Sequence, residues 1–367
     1  MNLLIATEPD DAHAIITKLA LEQKGYACTL WYTADMPSRQ ANSIYINNGG
    51  LEWIPESGIS DELCHLETNP FDIVWWRRAR LPYIPDSIQV EDRKCARKEN
   101  IAFFESLSTI IAPGAFWINP LDTQRRANSK ASQLKIASQC GFKIPITLMS
   151  NSPSHIKGFT KKYQNRGVIY KSFLPNYWKT EHGVRAMYTA SVHESQFPDD
   201  ELLQLVPGIF QVEIKKKYEL RVTCFGEKVV AVKIDSQKHE KGRIDWRRVA
   251  NQELKIKPYI LDQNTMHKIK RFMKCLGIVF GCFDFIVSTD NELYFLEINE
   301  QGQFLWIEEV NPEINMLETW IQFLTEEPPF CLYRNRPEQL STKQFISQVN
   351  TIKKEKIKRH IYLNEIT

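Results

Sequence analysis

Residues 294–308 read YFLEINEQGQFLWIE, and their side chains pull in two directions. Phe295, Leu296 and Ile298 have the character of strand interior. Glu297 and Asn299, two residues apart, fall on one face of a strand of period two. Just upstream, FDFIV (283–287) is a second strand-like run, and STDNE (288–292) has the composition of a hairpin turn. With Asp290 and Asn291 as the turn residues, Thr289 pairs with Glu292 and Asp284 comes to lie opposite Glu297. Like charges directly opposite in a sheet are destabilising, and they raise each other's pKa unless a cation offsets the repulsion. Two readings stay open at this point. The face is a solvated hairpin surface with ordinary acids, or two carboxylates, an amide oxygen and phosphate oxygens hold a hard divalent cation such as magnesium.

The rest of the chain bounds the answer. Its 367 residues suggest two or three domains. A hydrophobic fraction of 43% and a charged fraction of 25% are ordinary for a globular protein. The net charge of +3 is too small to argue for nucleic acid or a membrane surface as partner. Eight cysteines (28, 64, 95, 140, 224, 275, 282 and 331) are scattered without a Cys-x-x-Cys pair, so neither a zinc pattern nor a disulfide framework is expected. Reduced thiols and a cytoplasmic location are the simplest expectation. The N-terminal MNLLIATEPDDAH lacks a basic region before a long apolar run, and no signal peptide or membrane span is expected.

Strand patterns at 2–7 and 27–32 flank a helical pattern at 13–24 that Gly25 ends, which predicts an α/β unit with parallel strands. FDIVWW (71–76) reads as a further strand, 91–108 as a long helix, and INPLD (118–122) as a domain junction. Beyond it, a helix is predicted at 128–140 and short strands at 146–148, 168–171, 210–214, 219–225 and 228–234, with a tight turn at Gly226-Glu227. Helices are predicted at 264–276 and 315–324. The run KKEKIKR (353–359) reads as a solvated helix face.

In this order the motifs resemble the ATP-grasp superfamily and, more narrowly, the graspetide (microviridin-type) peptide ligases. The runs that carry the resemblance are NSKASQLKIASQCGFKIPITL (128–148), VIYKSF (168–173), IFQVEIKKKYELRV (209–222), AVKIDSQ (231–237), IDWRR (244–248), FDFIV (283–287) and LEINEQGQFLWIE (296–308). The resemblance covers about residues 1–325. It implies α/β plus α+β architecture, a three-part ATP-grasp fold. The parts are an N-terminal α/β domain (1–117), a small central domain (118–205) and a C-terminal antiparallel-sheet domain (206–330), followed by a basic tail (331–367) without a counterpart.

The resemblance also implies roles. Lys130 and Lys171 match the lysines that contact ATP phosphates. Gln211, Val212, Glu213 and Ile214 match the hinge whose backbone reads the adenine edge. Glu219 matches the acid at the ribose, and Arg221 lies two residues on, on the same face. Arg247 matches an arginine near the transferred phosphate, where a planar bidentate donor suits the charge. Asp284, Glu297 and Asn299 match the magnesium ligands, with Glu297 bridging two ions. The stretch PNYWKTEHGVRAM (175–187) is the implied flap, with Gly183 as its candidate hinge. Glu308 is a candidate on the substrate side. Asp11 and His13 resemble a feature of the same branch and receive no catalytic role.

The implied activity is an ADP-forming ligase that uses ATP and magnesium to join Asp or Glu side chains of a ribosomally made precursor peptide to Ser/Thr hydroxyls or Lys amines. Arg221 and Arg247 would offset charge on the acyl phosphate and the leaving group. The implied partner is that precursor, with a leader segment docking near the 219–234 hairpin, and a homodimer is left open. Lysines 215, 216, 217, 228 and 233, with Arg221, predict acidic residues in the leader. Two alternatives belong to other classes: an ATP-grasp enzyme adding free amino acids, and a non-catalytic ATP-binding protein.

Overall fold

The computed structural model describes residues 1–57, 71–174, 177–180, 183–326 and 340–363. Cys64, Cys331, the ends of the tail and residues 175, 176, 181 and 182 of the expected flap lie outside them. The chain forms two compact units, Met1–Gln124 with Asn315–Asn364, and Arg125–Ile314.

The first unit is built on a parallel sheet of four strands in the order Ala27–Tyr32, Asn2–Thr7, Ile73–Trp76, Phe116–Ile118. Their nearly continuous apolar runs are what a sheet covered on both faces requires. The helix Ala12–Gln23 starts at Asp11, whose carboxylate accepts from His13 N at 3.0 Å and Ala14 N at 3.4 Å. Gly25, with φ +80°, ends it as expected. The helix Met316–Glu326 belongs to this unit rather than to the C-terminal part in which it was expected: Trp320 packs at a tilt against Trp75, and its Nε1 donates to Thr17 Oγ1 at 2.9 Å. The basic run forms the C-terminal half of the helix Ile346–Arg359. At its end His360 Nδ1 lies 2.6 Å from Asp35 Oδ2 and Tyr362 donates to Asp10 Oδ2 at 3.1 Å. No helix among the described residues is long and apolar enough to cross a membrane.

The second unit holds two large antiparallel sheets, besides the two-stranded hairpin Tyr177–Thr180 and Gly183–Ala186. One has four strands in the order Ala190–Val192, Val168–Lys171, Gly208–Val212, Thr147–Ser150. The strand Gly208–Val212 therefore pairs with strands of the expected central part, and the division between the two sheets falls after Val212 rather than at 205. The other has five strands in the order Ile256–Pro258, Lys228–Ile234, Lys216–Phe225, Phe280–Ser288, Leu293–Asn299. Its Leu220, Phe283, Phe285, Phe295 and Ile298 pack in one cluster with Leu134, Ile269 and Phe272, which come from the helices Lys130–Gln139 and Gln263–Leu276. The tight turn holds, with Phe225 paired to Lys228 and Gly226 at φ +56°.

The opening hairpin differs from expectation in two places that compensate. Ser288 N donates to Glu292 O at 2.9 Å, so the loop has three residues, Thr289, Asp290 and Asn291, rather than two. Asn291 closes it at φ +61°, a conformation asparagine tolerates. The pairing is thus displaced by one residue as far as Phe285–Phe295, and a bulge at Leu296 restores Asp284 opposite Glu297. The bulge also settles the mixed pattern of residues 295–299. Phe295 and Ile298 both enter the core, while Leu296 and Glu297, adjacent in sequence, both line a cleft on the other side.

Candidate active site

That cleft encloses about 530 Å³ of space open to solvent and lies within the second unit. Apolar groups from Pro145, Ile169, Ile244, Ile286 and Leu296 form part of the wall, and Lys171, Glu219, Asp245, Arg247, Asp284 and Glu297 bring charge to it.

The floor follows from strand pairing. Arg221 lies directly across from Asp284, and Asp284 across from Glu297, so three charges stand in a row on one face. Arg221 Nη1 donates to Asp284 Oδ2 at 2.8 Å and Nη2 to the Gln303 carbonyl at 3.1 Å. Gly302 permits that approach, because a Cβ there would stand 2.6 Å from Cys282 Sγ and 3.1 Å from Arg221 Nη2. Glu297 Oε2 accepts from Lys130, and Arg247 Nη1 stands 4.0 Å from Glu297 Oε1. The expected repulsion between the two acids is therefore offset by protein cations.

Lys130 is placed by a contact between helix and strand. Leu293–Asn299 is the edge of its sheet, and an edge carries unpaired backbone groups. Gln133 meets them, accepting from Ile298 N at 3.0 Å and donating to Ile298 O at 2.9 Å. Lys130, one turn earlier on the helix, then reaches Glu297. Gln133 was not anticipated, since only the fold brings it to residue 298.

Burial and these partners set the charges. Burial alone would raise the Glu297 carboxyl, but Lys130, Lys171 and Arg247 overcome it and hold the pKa at about 2. Asp284 is pushed up by burial and by Glu297, against the pull of Arg221. Burial pushes the Lys171 ammonium below the ordinary lysine value, with Glu297 pulling the other way. Lys171 makes no hydrogen bond or ion pair with any described side chain, although it lines the cleft. Burial raises Glu219, whose Oε1 accepts from Lys216 Nζ and Ser236 Oγ, each at 2.8 Å.

Of the expected site residues, Lys171, Gln211, Val212, Ile214, Glu219, Arg247, Asp284 and Glu297 share the cleft wall. Lys130 and Arg221 join through their carboxylate partners. Glu213 turns aside: its side chain lies against Gly167, where an added Cβ would stand 2.9 Å from Glu213 Oε2. Asn299 is exposed beyond the wall, with its Oδ1 accepting from Gln301 N at 3.0 Å. Glu308 is buried and is not part of the wall. Gly183 sits at the tip of the hairpin formed by Tyr177–Thr180 and Gly183–Ala186, paired with Thr180, and not at its base. Nor is the lysine cluster a free basic surface. Lys216 is buried against Glu219, Lys217 donates to Asn291, Lys233 pairs with Asp235 over the Tyr218 ring, and Arg221 is buried on Asp284.

No group of three or more His, Cys, Asp or Glu side chains suited to a metal occurs among the described residues. The donor set nevertheless fits magnesium. Asp284 and Glu297 each bind a protein cation through one oxygen, with Arg247 4.0 Å from the other oxygen of Glu297; their carboxylates are the hard oxygen donors that magnesium prefers, while the Asn299 amide stands beyond the wall and accepts from Gln301.

A sheet-walled cleft that faces lysine and arginine toward paired acids, between a four-stranded and a five-stranded antiparallel sheet, defines an ATP-grasp protein. Neither protein-family models nor curated proteins match this chain. Solved structures do. The chain is similar to a RiPP-associated ATP-grasp ligase of Chryseobacterium gregarium, solved with ADP and a leader and core peptide. The two are 26% identical with a TM-score of 0.76, over 91% of this chain and 99% of that one. It is also similar to the macrocyclase MdnC of Microcystis aeruginosa MRC bound with precursor peptide MdnA, at 27% identity and TM-score 0.74, over 88% of this chain and 99% of that one. D-cycloserine synthetase DcsG shares the fold at 14% identity and TM-score 0.51, over 88% and 98% of the two chains. Over nearly its whole length the chain thus shares the fold of RiPP-associated ATP-grasp ligases and peptide macrocyclases.

Proposed function

We propose that this protein is an ADP-forming ligase that closes rings in a ribosomally made precursor peptide. The observation that carries the proposal is the charge arrangement of the cleft: two acids already held by Arg221 and Lys130, facing a Lys171 with no ion-pair partner among the described residues and an Arg247 whose Nη1 is 4.0 Å from Glu297 Oε1. Phosphoryl transfer needs little else from a protein than positioning and charge stabilisation.

In this reading an Asp or Glu carboxylate of the peptide attacks the γ-phosphorus of ATP. The bond to the β-phosphate oxygen breaks, and ADP leaves behind an acyl phosphate. A Ser/Thr hydroxyl or a Lys amine of the same peptide then attacks the acyl carbon, phosphate leaves, and the nucleophile loses its proton. Lys130, Lys171 and Arg247 hold the phosphates, and Arg221 keeps Asp284 ionised and in place. Glu219 meets the ribose. Val212 N–H donates to Ile146 O and Glu213 N–H to Gly167 O, so the hinge meets the adenine edge at the Glu213 carbonyl and Ile214 N–H. Asp284, Glu297 and Asn299 would hold magnesium, two ions with Glu297 shared, and bound magnesium would neutralise phosphate charge. The leader segment supplies binding energy away from the reacting groups.

The test is to incubate the protein with ATP, magnesium and the short peptides encoded beside its gene, and to follow peptide mass and ADP. Loss of one water per ring with one ADP per ring is expected. Addition of a free amino acid, or ADP release with the peptide unchanged, would overturn the proposal. ATP should support the reaction and GTP should not. Equal rates with both would remove the adenine reading of the hinge.

A further inference from the structure

Asp245 stands out among the charged residues of the cleft, because it has no role so far and makes more polar contacts than its neighbours. It is buried, yet it lines the cleft. Its Oδ1 accepts from Arg247 Nε at 2.8 Å and from Arg247 N at 3.1 Å. Its Oδ2 accepts from Arg247 Nη2 at 2.7 Å and from Thr189 N at 3.3 Å. The two side-chain bonds form the fork geometry that fixes a guanidinium in plane and rotation. Arg247 needs such a partner. Its side chain is 52% exposed and stands on the short turn Trp246–Arg248, and among the described residues its other ion pair is the longer one with Glu297 at 4.0 Å. With Nε and Nη2 engaged, Nη1 is the end directed at Glu297.

The fourth contact adds a second element. Thr189 is buried, lines the same cleft, and follows the hairpin that ends at Ala186. One carboxylate thus ties the chain leaving that hairpin to the arginine. The preceding residue is fixed as well, since the Ile244 carbonyl accepts from Lys216 Nζ at 2.7 Å while Lys216 pairs with Glu219.

We propose that Asp245 is a positioning residue that locks the Arg247 fork toward Glu297 and couples it to the strand behind the hairpin. This rests on the phosphate-facing role given to Arg247 above. Asp245 itself touches no reacting atom. Its removal should leave nucleotide affinity in place and lower the rate of the chemical step, because misplacement of a catalytic group by about 1 Å can cost about a hundredfold.

The test is a double-mutant cycle on ADP release coupled to ring formation, with KM for ATP and kcat read separately. Asp245→Asn keeps size and loses the charge-assisted fork. It should lower kcat about 10–100-fold, with KM for ATP changed less than about threefold. Arg247→Ala should lower kcat at least as far, and Asp245→Asn added to it should cost less than about twofold more, since a residue that acts through another has nothing left to position. Should Asp245→Asn fail to fold by thermal melting, Asp245→Glu keeps the charge and moves the fork by one methylene, and it should show the same split between kcat and KM. A full rate in a folded Asp245 variant, or losses that multiply in the double variant, overturns the inference while leaving the ligase reading intact. Absence of ATP-dependent ring formation by the unaltered protein overturns the ligase reading itself.

Discussion

Each unit buries a cluster of acids and bases, and the two clusters are built on opposite plans. In the first unit Asp11 uses both oxygens, accepting from Thr7 Oγ1 at 2.9 Å, Arg77 Nε at 2.7 Å and two helix N–H groups. Arg77 is 1% exposed and its guanidinium lies over the Trp75 ring. Asp11 and Arg77 are thus answered from within the chain. In the second unit Asp284 has one oxygen on Arg221, Glu297 has one on Lys130 and the other only at 4.0 Å from Arg247, and Lys171 faces a cleft with no ion-pair partner among the described residues. A closed cluster has nothing left to offer a ligand, whereas an open one at a cleft is incomplete without it. Burial of charge by itself does not separate them; spare valence does.

The strongest way to break this comparison is to neutralise one acid from each cluster. Glu297→Gln should reduce ring formation at least about a thousandfold while the melting temperature stays near that of the unaltered protein, because the loss falls on charge arrangement at the reacting phosphate. Asp11→Asn should do the reverse. It leaves Arg77 buried beside a neutral partner, which typically costs about 3–5 kcal/mol, and the turnover of the molecules that remain folded should be unchanged. Calorimetry and ADP release on both variants decide the matter. If Asp11→Asn lowers turnover of folded protein as far as Glu297→Gln, the contrast between the clusters is void.

Lys171 sharpens the same contrast at a smaller scale. Lys171→Met should lower kcat/KM for ATP about a hundredfold, through the loss of one phosphate contact. It should not lower stability, since the cation it removes is held below its ordinary pKa by burial. The sign of its pH dependence follows. A lysine whose folded pKa is depressed binds fewer protons folded than unfolded, so its contribution to stability improves as pH rises toward the ordinary lysine value. The unaltered protein should therefore gain stability relative to Lys171→Met on going from neutral to alkaline pH. A constant difference across that range would mean that Lys171 is well solvated.

Much of the second cluster was legible in sequence, because its residues lie on strands whose alternation fixes their face. The facing of Asp284 and Glu297 was reached from a two-residue turn, and it survives because a longer loop and a bulge cancel. The bulge had a signal in the sequence: Phe295 and Glu297 fall on the same face of a regular strand, and one is apolar and the other charged. The Asp245 fork was also visible as Asp-x-Arg, two residues apart. Gln133 was not, since its partner lies across 165 residues and only the edge of a folded sheet creates the need for it. The lysines at 215–233 were legible only in part for the same reason, with Lys215 and Lys217 exposed. A count of charges does not say that Lys216 and Arg221 are consumed by Glu219 and Asp284. The first cluster was the least legible. Nothing local in the tail indicates that His360 meets Asp35 or that Tyr362 meets Asp10.

The smallest effect concerns acid, and it isolates Asp11. Burial would raise its carboxyl, but Arg77 and the neighbouring charges hold it at about 2, against an ordinary value of 3.8. A carboxyl depressed in the folded state contributes stability that is present above its ordinary pKa and lost as pH falls through the folded one. The shift corresponds to about 2 kcal/mol, lost between about pH 5 and pH 2. Glu8, close by, shifts the opposite way because burial dominates there, so the total acid limb of the unit mixes two signs. The difference between the unaltered protein and Asp11→Asn removes Glu8 from the comparison. That difference should hold constant above about pH 5 and narrow by about 2 kcal/mol toward pH 2. Urea unfolding followed by tryptophan fluorescence is weighted toward this unit, since the buried Trp31, Trp75, Trp76 and Trp320 lie in it, and Trp306→Phe removes the buried tryptophan described in the other unit. A gap that keeps its full width down to pH 2 would mean that the Asp11 carboxylate is not what holds Arg77 in the core. The closed cluster would then owe its stability to the stacking of Arg77 on Trp75 and not to charge.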